Sequence, residues 1–383
     1  MFASDPMRHQ LPSAFDGRVI YLASSASHPL RKGVWFFVTE ALTINSHDEL
    51  IAAIPHILRF RPIESVICLP LEGGGPTARV DLPASDEDLE PWLKTLTEVY
   101  LHTHHPPRVA LVAFGEDGPR TVGALNALNT ALSTDPGPEV GPVLWVKGER
   151  WTELLTATRG VVSPSAQARI DAEYALRGQV MPLGSREELA AAMRGDARPV
   201  QANLAWAWER SRGLDEANRK REARWVGAQI DHFLNNGNYL NDVDAARFLV
   251  AVCEVETRDA SALAMKRTDA SALTEFWQDL TRRAPAEVRD PPATLLALSS
   301  WLSGHGAMSW TALEQLSRPN RIGELVETAL RQAVNPNAWD QAAPAAAGAL
   351  MQRCALRSDQ MTAHTKPDGP ETGLDRPGPS VPR

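Results

Sequence analysis

Apolar positions change their period at about residue 185. Before it, contiguous or alternating apolar runs are interleaved with helical stripes; after it, apolar positions fall almost wholly at helical spacing. The runs at 19–22, 34–38, 108–114 and 143–146 read as strands, with a short last one at 180–183. Residues 65–69 form the most continuous apolar run and read as a strand buried on both faces. At 77–82 the pattern alternates: Ala78, Val80 and Leu82 share one face, Arg79 and Asp81 the other. Helical stripes pass through Leu50, Ile54, Ile57 and Leu58, then through Trp92, Leu93, Leu96, Val99 and Tyr100, then over 121–132, and residues 150–158 also read as helical.

Three Ser-to-acid spacings, Ser46/Glu49, Ser85/Asp88 and Ser185/Glu188, have the form of capping boxes, in which hydroxyl and carboxylate satisfy backbone N–H groups at a helix start. Pro55 lies inside the first stripe and predicts a kink or a short helix; Pro62 ends the element. Strands alternating with helices predict an α/β N-terminal domain with a mixed, mostly parallel sheet and helices on both faces. An all-α helical-hairpin domain follows. The expected divisions are an N-terminal extension at 1–40, the α/β domain at 41–184, the helical domain at 185–340, and an Ala-rich segment with a disordered Pro/Gly tail at 341–383. Within the helical part, Asp290 is expected to cap a helix that begins Pro291-Pro292 and ends at Gly304. Another helix should cover 308–316, and Asn320 should cap a third. The ten-residue recurrence of Asp-Ala-Ser-Ala-Leu at 259 and 269 cannot keep one helical face, so a break is expected near Thr268.

A chain of 383 residues with 43% apolar content is long enough for two domains with ordinary cores. The formal charge of −8 disfavours general binding to nucleic acid or anionic membrane. Cys68, Cys253 and Cys354 are odd in number and far apart, which gives no disulfide framework. No apolar run approaches a membrane span and no secretory signal is evident, so cytoplasm is the expected compartment.

Several motifs together resemble a known family. They are the helix ending Pro55-x-x-Leu58, Phe60-x-Pro62, the Ser65-Val66-Ile67 strand and the run Ala78 to Pro83. The likeness continues at Val146-x-x-x-Arg150-Trp151 and over 165–189, and more loosely to Trp339. The stretch resembles an actinobacterial family catalogued as domain of unknown function 4192, for which the resemblance implies no particular activity. Arg59 stands where that family usually has Gly, and the segment after Trp151, often Cys-rich in relatives, has no Cys here.

The candidate chemistry is sparse. Gly73-Gly74-Gly75 leads into a strand without a following Lys-Ser or Lys-Thr, so it reads as a turn rather than a phosphate cradle. His102, His104 and His105 lack a placed Cys or carboxylate partner and read as a cationic helix end; no metal site is expected. Arg219, Lys220, Arg221 and Arg224 are interleaved with acids, as on a solvated helix face, and Asn235 to Asn238 is a turn. The candidate ligand-binding residues are Arg79, Asp81, Arg150 and Trp151. The first two lie on the polar face of a strand, where charges need partners or a ligand; the second two pair a cation with an aromatic platform. These features imply a non-catalytic protein-interaction or regulatory module, without a cofactor, whose protein partner binds the helical domain. The alternative is an enzyme, or a small-ligand-binding protein, with its site at the sheet edge and Asp81 as acid or base.

Overall fold

Ser46 begins the first helix as its sequence requires. Its hydroxyl accepts from the Glu49 N–H at 3.2 Å, and the Glu49 carboxylate accepts from the Asn45 N–H at 2.7 Å. The computed structural model describes residues 18–20, 42–72, 77–101, 104–133, 137–176 and 181–348. Helix α1 (His47–Leu58) continues through Pro55 and ends at Arg59, whose φ of +70° is left-handed. That conformation favours glycine, which is the physical reason a glycine suits this position and an arginine is strained there.

The sheet holds β3 (Ser65–Pro70), β4 (Ala78–Asp81), β5 (Arg108–Phe114), β6 (Glu139–Lys147), β7 (Arg150–Glu153) and β8 (Arg159–Val161), in the order β4-β3-β5-β6-β7-β8. A separate pair joins β1 (Arg18–Ile20) to β2 (Leu42–Ile44). The sheet is mixed, as expected, but mostly antiparallel rather than mostly parallel: β5–β6 is its parallel pair, and every other neighbouring pair is antiparallel. The reason is topological. The helical crossover after β4 returns the chain to β5, yet β3 lies between those two strands, so their common direction never becomes a neighbouring pair. Residues 150–158 are also not helical. Gly148, at φ +58°, turns β6 tightly into β7 instead. Of the last strand expected at 180–183, the described residues 181–183 hold a single bridge, between Leu183 and Phe60.

Every residue of β3 is buried, because helices cover both faces. Val66 and Cys68, with Val109, Leu111 and Ala113, face α2 (Leu89–Lys94, continuing as a wider π-helical turn over Thr95–Leu101) and α3 (Gly118–Leu132). Ile67 and Leu69, with Ala110 and Val112, face α1 and α4 (Pro164–Leu176).

From Ser185 onwards the described chain is helical: α5 (Arg186–Ala192), α6 (Arg198–Arg212), α7 (Glu216–Asn236), α8 (Asp242–Ala251), α9 (Val255–Leu263), α10 (Ala270–Arg283), α11 (Asp290–Leu302), α12 (Gly306–Leu313), α13 (Arg321–Arg331) and a last helix over 339–348. Ser185 and Asn320 cap α5 and α13, each accepting a backbone N–H three residues on. A short 3₁₀ turn at Arg267–Asp269 makes the break expected near Thr268. Asp290 is the first residue of α11 rather than its cap, and its carboxylate instead accepts from the Ser317 backbone N–H and hydroxyl. Helix α11 is buried along nearly its whole length, and Phe233, Phe248, Phe276 and Trp277 cluster beside it. The larger hydrophobic core runs from Leu50 and Ile67 through Trp277 and Leu296, so sheet and helices share one interior. The expectations at 34–38, Gly73 to Gly75, His102, Cys354 and the C-terminal tail lie outside the described residues.

Candidate ligand-binding site

Strand β4 is the edge of the sheet, and the register sets Arg79 opposite Ile67, on the α1 side. Its guanidinium lies 5.6 Å from the centre of the Phe60 ring. The Arg79 side chain is only 16% exposed. One terminal N–H group donates to Asp81 Oδ1 at 2.5 Å, while Nε is buried without a hydrogen-bond partner. Asp81 sits on the rim with its side chain 69% exposed, and its backbone carbonyl accepts from the Trp92 indole at 2.8 Å.

Arg79 lines a cavity of about 510 Å³ between the sheet edge and the helices. That volume is within the usual range for small-molecule sites. Ile57 comes from α1, Phe60 from the bridge just after it, and Leu96 from the π-helical turn. Trp301, Trp310 and Arg331 come from α11, α12 and α13, and Arg186 from the start of α5. Arg186 pairs with Glu314 at 2.5 Å. Arg331 pairs with Glu327 at 2.8 Å and lies 5.2 Å from the centre of the Trp310 ring. Three guanidinium groups therefore border one largely apolar space, each tethered to a carboxylate that does not line it.

Arg150 and Trp151 are elsewhere. Their strand, β7, is separated from β4 by β3, β5 and β6. Trp151 is 9% exposed, and its indole donates to Asp48 Oδ1 at 2.8 Å, while Asp48 Oδ2 accepts the Ser163 N–H at 3.0 Å. The tryptophan thereby pins the first turn of α1 against the sheet. Of the four candidates from sequence, Arg79 lines the cavity, Asp81 holds it from the rim, and the other two have no part in it.

A family model described as Domain of unknown function (DUF4192) matches residues 48–337. The chain belongs to this family. No curated protein and no solved structure matches the chain. The DUF4192 match begins in the first turn of α1 and ends after α13, so both walls of the cavity fall inside the family region.

Next to the cavity, the DUF4192 chain holds a second polar group. Arg59 Nη2 lies 3.3 Å from His305 Nε2, and the other ring nitrogen of His305 lies 2.9 Å from the Ser303 hydroxyl. Burial, and secondarily the Arg59 charge, push the His305 pKa down to about 3. His56, 2% exposed, is stacked on Tyr174 with ring centres 4.2 Å apart and meets Asp171 at 2.7 Å; burial dominates there too, and its pKa is lowered. The thiol of Cys68 is pushed by burial up to about 12, which removes it as a nucleophile. Among the described residues, no three His, Cys, Asp or Glu side chains gather as a metal site, and no helix is long and apolar enough to cross a membrane.

Sequence reasoning missed Arg186, Trp301, Trp310 and Arg331. They reach the cavity through tertiary packing, which no spacing encodes. Arg331 by itself reads as a cation suited to the end of its helix, and the tryptophans read as core.

Proposed function

We propose that this chain is a non-catalytic, ligand-responsive regulatory module, in which a small molecule bound between the sheet edge and the helical half joins the two. The observation that carries this reading is the composite cavity. One wall comes from β4, α1 and the π-helical turn, and the other from α11, α12 and α13. A molecule that fits only when both walls are in place favours the arrangement that brings them together, and so reports its concentration as a shift in conformational population. Among the described residues lining the cavity, the polar side chains are arginines and two threonines. Arginines hold charge and orient anions but are poor proton acceptors, which fits recognition better than acid–base chemistry. The division into a sheet-bearing part and a helical part belongs to the same proposal, each part supplying one wall.

Titration calorimetry with 1-naphthol, a neutral apolar probe, tests the cavity as a binding site. One equivalent should bind the full chain. Ala307→Phe should abolish binding, because Ala307 lines the space and a phenyl ring there would occupy it. Equal binding by both proteins, or by neither, would contradict the reading.

A further inference from the structure

We infer that the molecule recognised in this cavity is a small aromatic anion of the aryl phosphate type, a flat apolar body carrying one compact, doubly charged oxyanion. This assignment rests on the cavity being a ligand site, as proposed above, and adds the chemical class.

The first argument is electrostatic. Three cations, Arg79, Arg186 and Arg331, face one space whose remaining lining is mainly apolar. The side chains of Arg79 and Arg186 are 16% and 28% exposed, and guanidinium groups so placed need acceptors beyond the single carboxylate each has, whereas Arg331, 65% exposed, stands at the mouth with water available to it. Those carboxylates are on the outside: the side chains of Asp81, Glu314 and Glu327 are 69%, 53% and 43% exposed. Ion pairs that open to solvent are weak and hold the arginines in place; Arg79 and Arg186 each spend one terminal N–H group on theirs, and Arg331 spends Nε and a terminal nitrogen on Glu327. Each guanidinium carries five N–H donors in a planar fork, and one carboxylate takes one or two of them.

Arg79 makes the point atom by atom. One terminal N–H group serves Asp81, while Nε is buried without a hydrogen-bond partner. Nε and a terminal nitrogen form the edge of the fork that matches two oxygens of a phosphate or carboxylate. Three cations lining one space favour a doubly charged oxyanion over a single carboxylate.

The second argument concerns shape. Trp310 lies against Arg331, Phe60 against Arg79, and Trp301 and Leu96 line the apolar part. Aromatic faces beside cations favour a flat, polarisable ring over a sugar or a flexible chain. Inorganic phosphate alone would leave that surface unused.

Calorimetry at neutral pH with 1-naphthyl phosphate, 1-naphthol and inorganic phosphate separates the possibilities. The aryl phosphate should bind the full chain about tenfold or more tightly than the alcohol, since charge-assisted hydrogen bonds to the arginines are open to the ester's oxyanion alone. Inorganic phosphate should bind more weakly than the ester. Arg186→Gln and Arg331→Gln, at side chains 28% and 65% exposed and therefore tolerated by the fold, should each reduce the preference for ester over alcohol by several-fold. Equal affinity for ester and alcohol, or a preference unchanged in both variants, would overturn the anion assignment while leaving the cavity a binding site. Inorganic phosphate binding as tightly as the ester would overturn the aromatic part. If neither ester nor alcohol bound, the assignment and the ligand-binding reading would fall together.

Discussion

Replacing Trp277 with alanine should lower the unfolding free energy by about 3–5 kcal/mol, the usual loss when a large aromatic side chain is removed from a packed core. Trp277 has no exposed surface and lies 5.1 Å from Phe276 and 5.7 Å from Phe248, ring centre to ring centre. The residual cavity is enclosed by helices that cannot close over it without moving the buried α11. Trp277→Phe should cost far less, because it keeps most of the apolar volume and deletes an indole N–H that is buried without a hydrogen-bond partner. Urea unfolding followed by tryptophan fluorescence and far-ultraviolet circular dichroism measures both. Because Trp277 belongs to the same core cluster as Ile67 and Leu50, the sheet signal should shift with the helical signal. A Trp277→Ala protein whose midpoint is unchanged would contradict the shared interior.

The second large effect is on pH dependence. The His305 pKa is about 3 in the folded chain and near 6.5 when unfolded, so the unfolded state binds a proton between those values and the folded state does not. The stability associated with the neutral ring is complete above pH 6.5 and is lost as pH falls towards 3. At pH 5 the loss is about 2 kcal/mol, from 1.36 kcal/mol per pKa unit. The group facing the ring is Arg59, which in turn feels Glu275 and Tyr174. His305→Gln should therefore flatten the fall in stability between pH 7 and pH 5 by about that amount. Arg59→Gly should flatten it by less, since burial is the larger cause and the arginine charge the smaller. The glycine also relieves a left-handed backbone, by roughly 1 kcal/mol, and should raise stability at pH 7. Denaturant midpoints across pH for the three proteins provide the check, and three identical slopes would refute the assignment.

Local chemistry was legible in the residues. Ser46 with Glu49, Ser185 and Asn320 announced helix starts because capping is settled within four positions. The apolar run at Ser65 announced a strand covered on both faces. The change of period at 185 marked where the described chain becomes helical. Strand direction was not legible, because it depends on which strand is inserted between two others, and the placing of β3 between β4 and β5 is a choice made by packing. The segment after Gly148 read as helical, and the tight turn at that glycine makes it a strand paired to β6 instead. Alternation put Arg79 and Asp81 on one face, as found. It could not reveal that Arg186 and Arg331 line the same cavity as Arg79, nor that Trp151 is committed to Asp48.

Hydrogen–deuterium exchange of the full chain, with and without saturating 1-naphthyl phosphate, tests the central claim most directly. If a ligand joins the two walls, protection should rise together in the 78–101 segment and in α12 and α13, and stay unchanged in α6 and α7, which supply no residue to the cavity lining. Protection confined to one wall, or centred on α6 and α7, would show that the cavity does not couple the sheet to the helices.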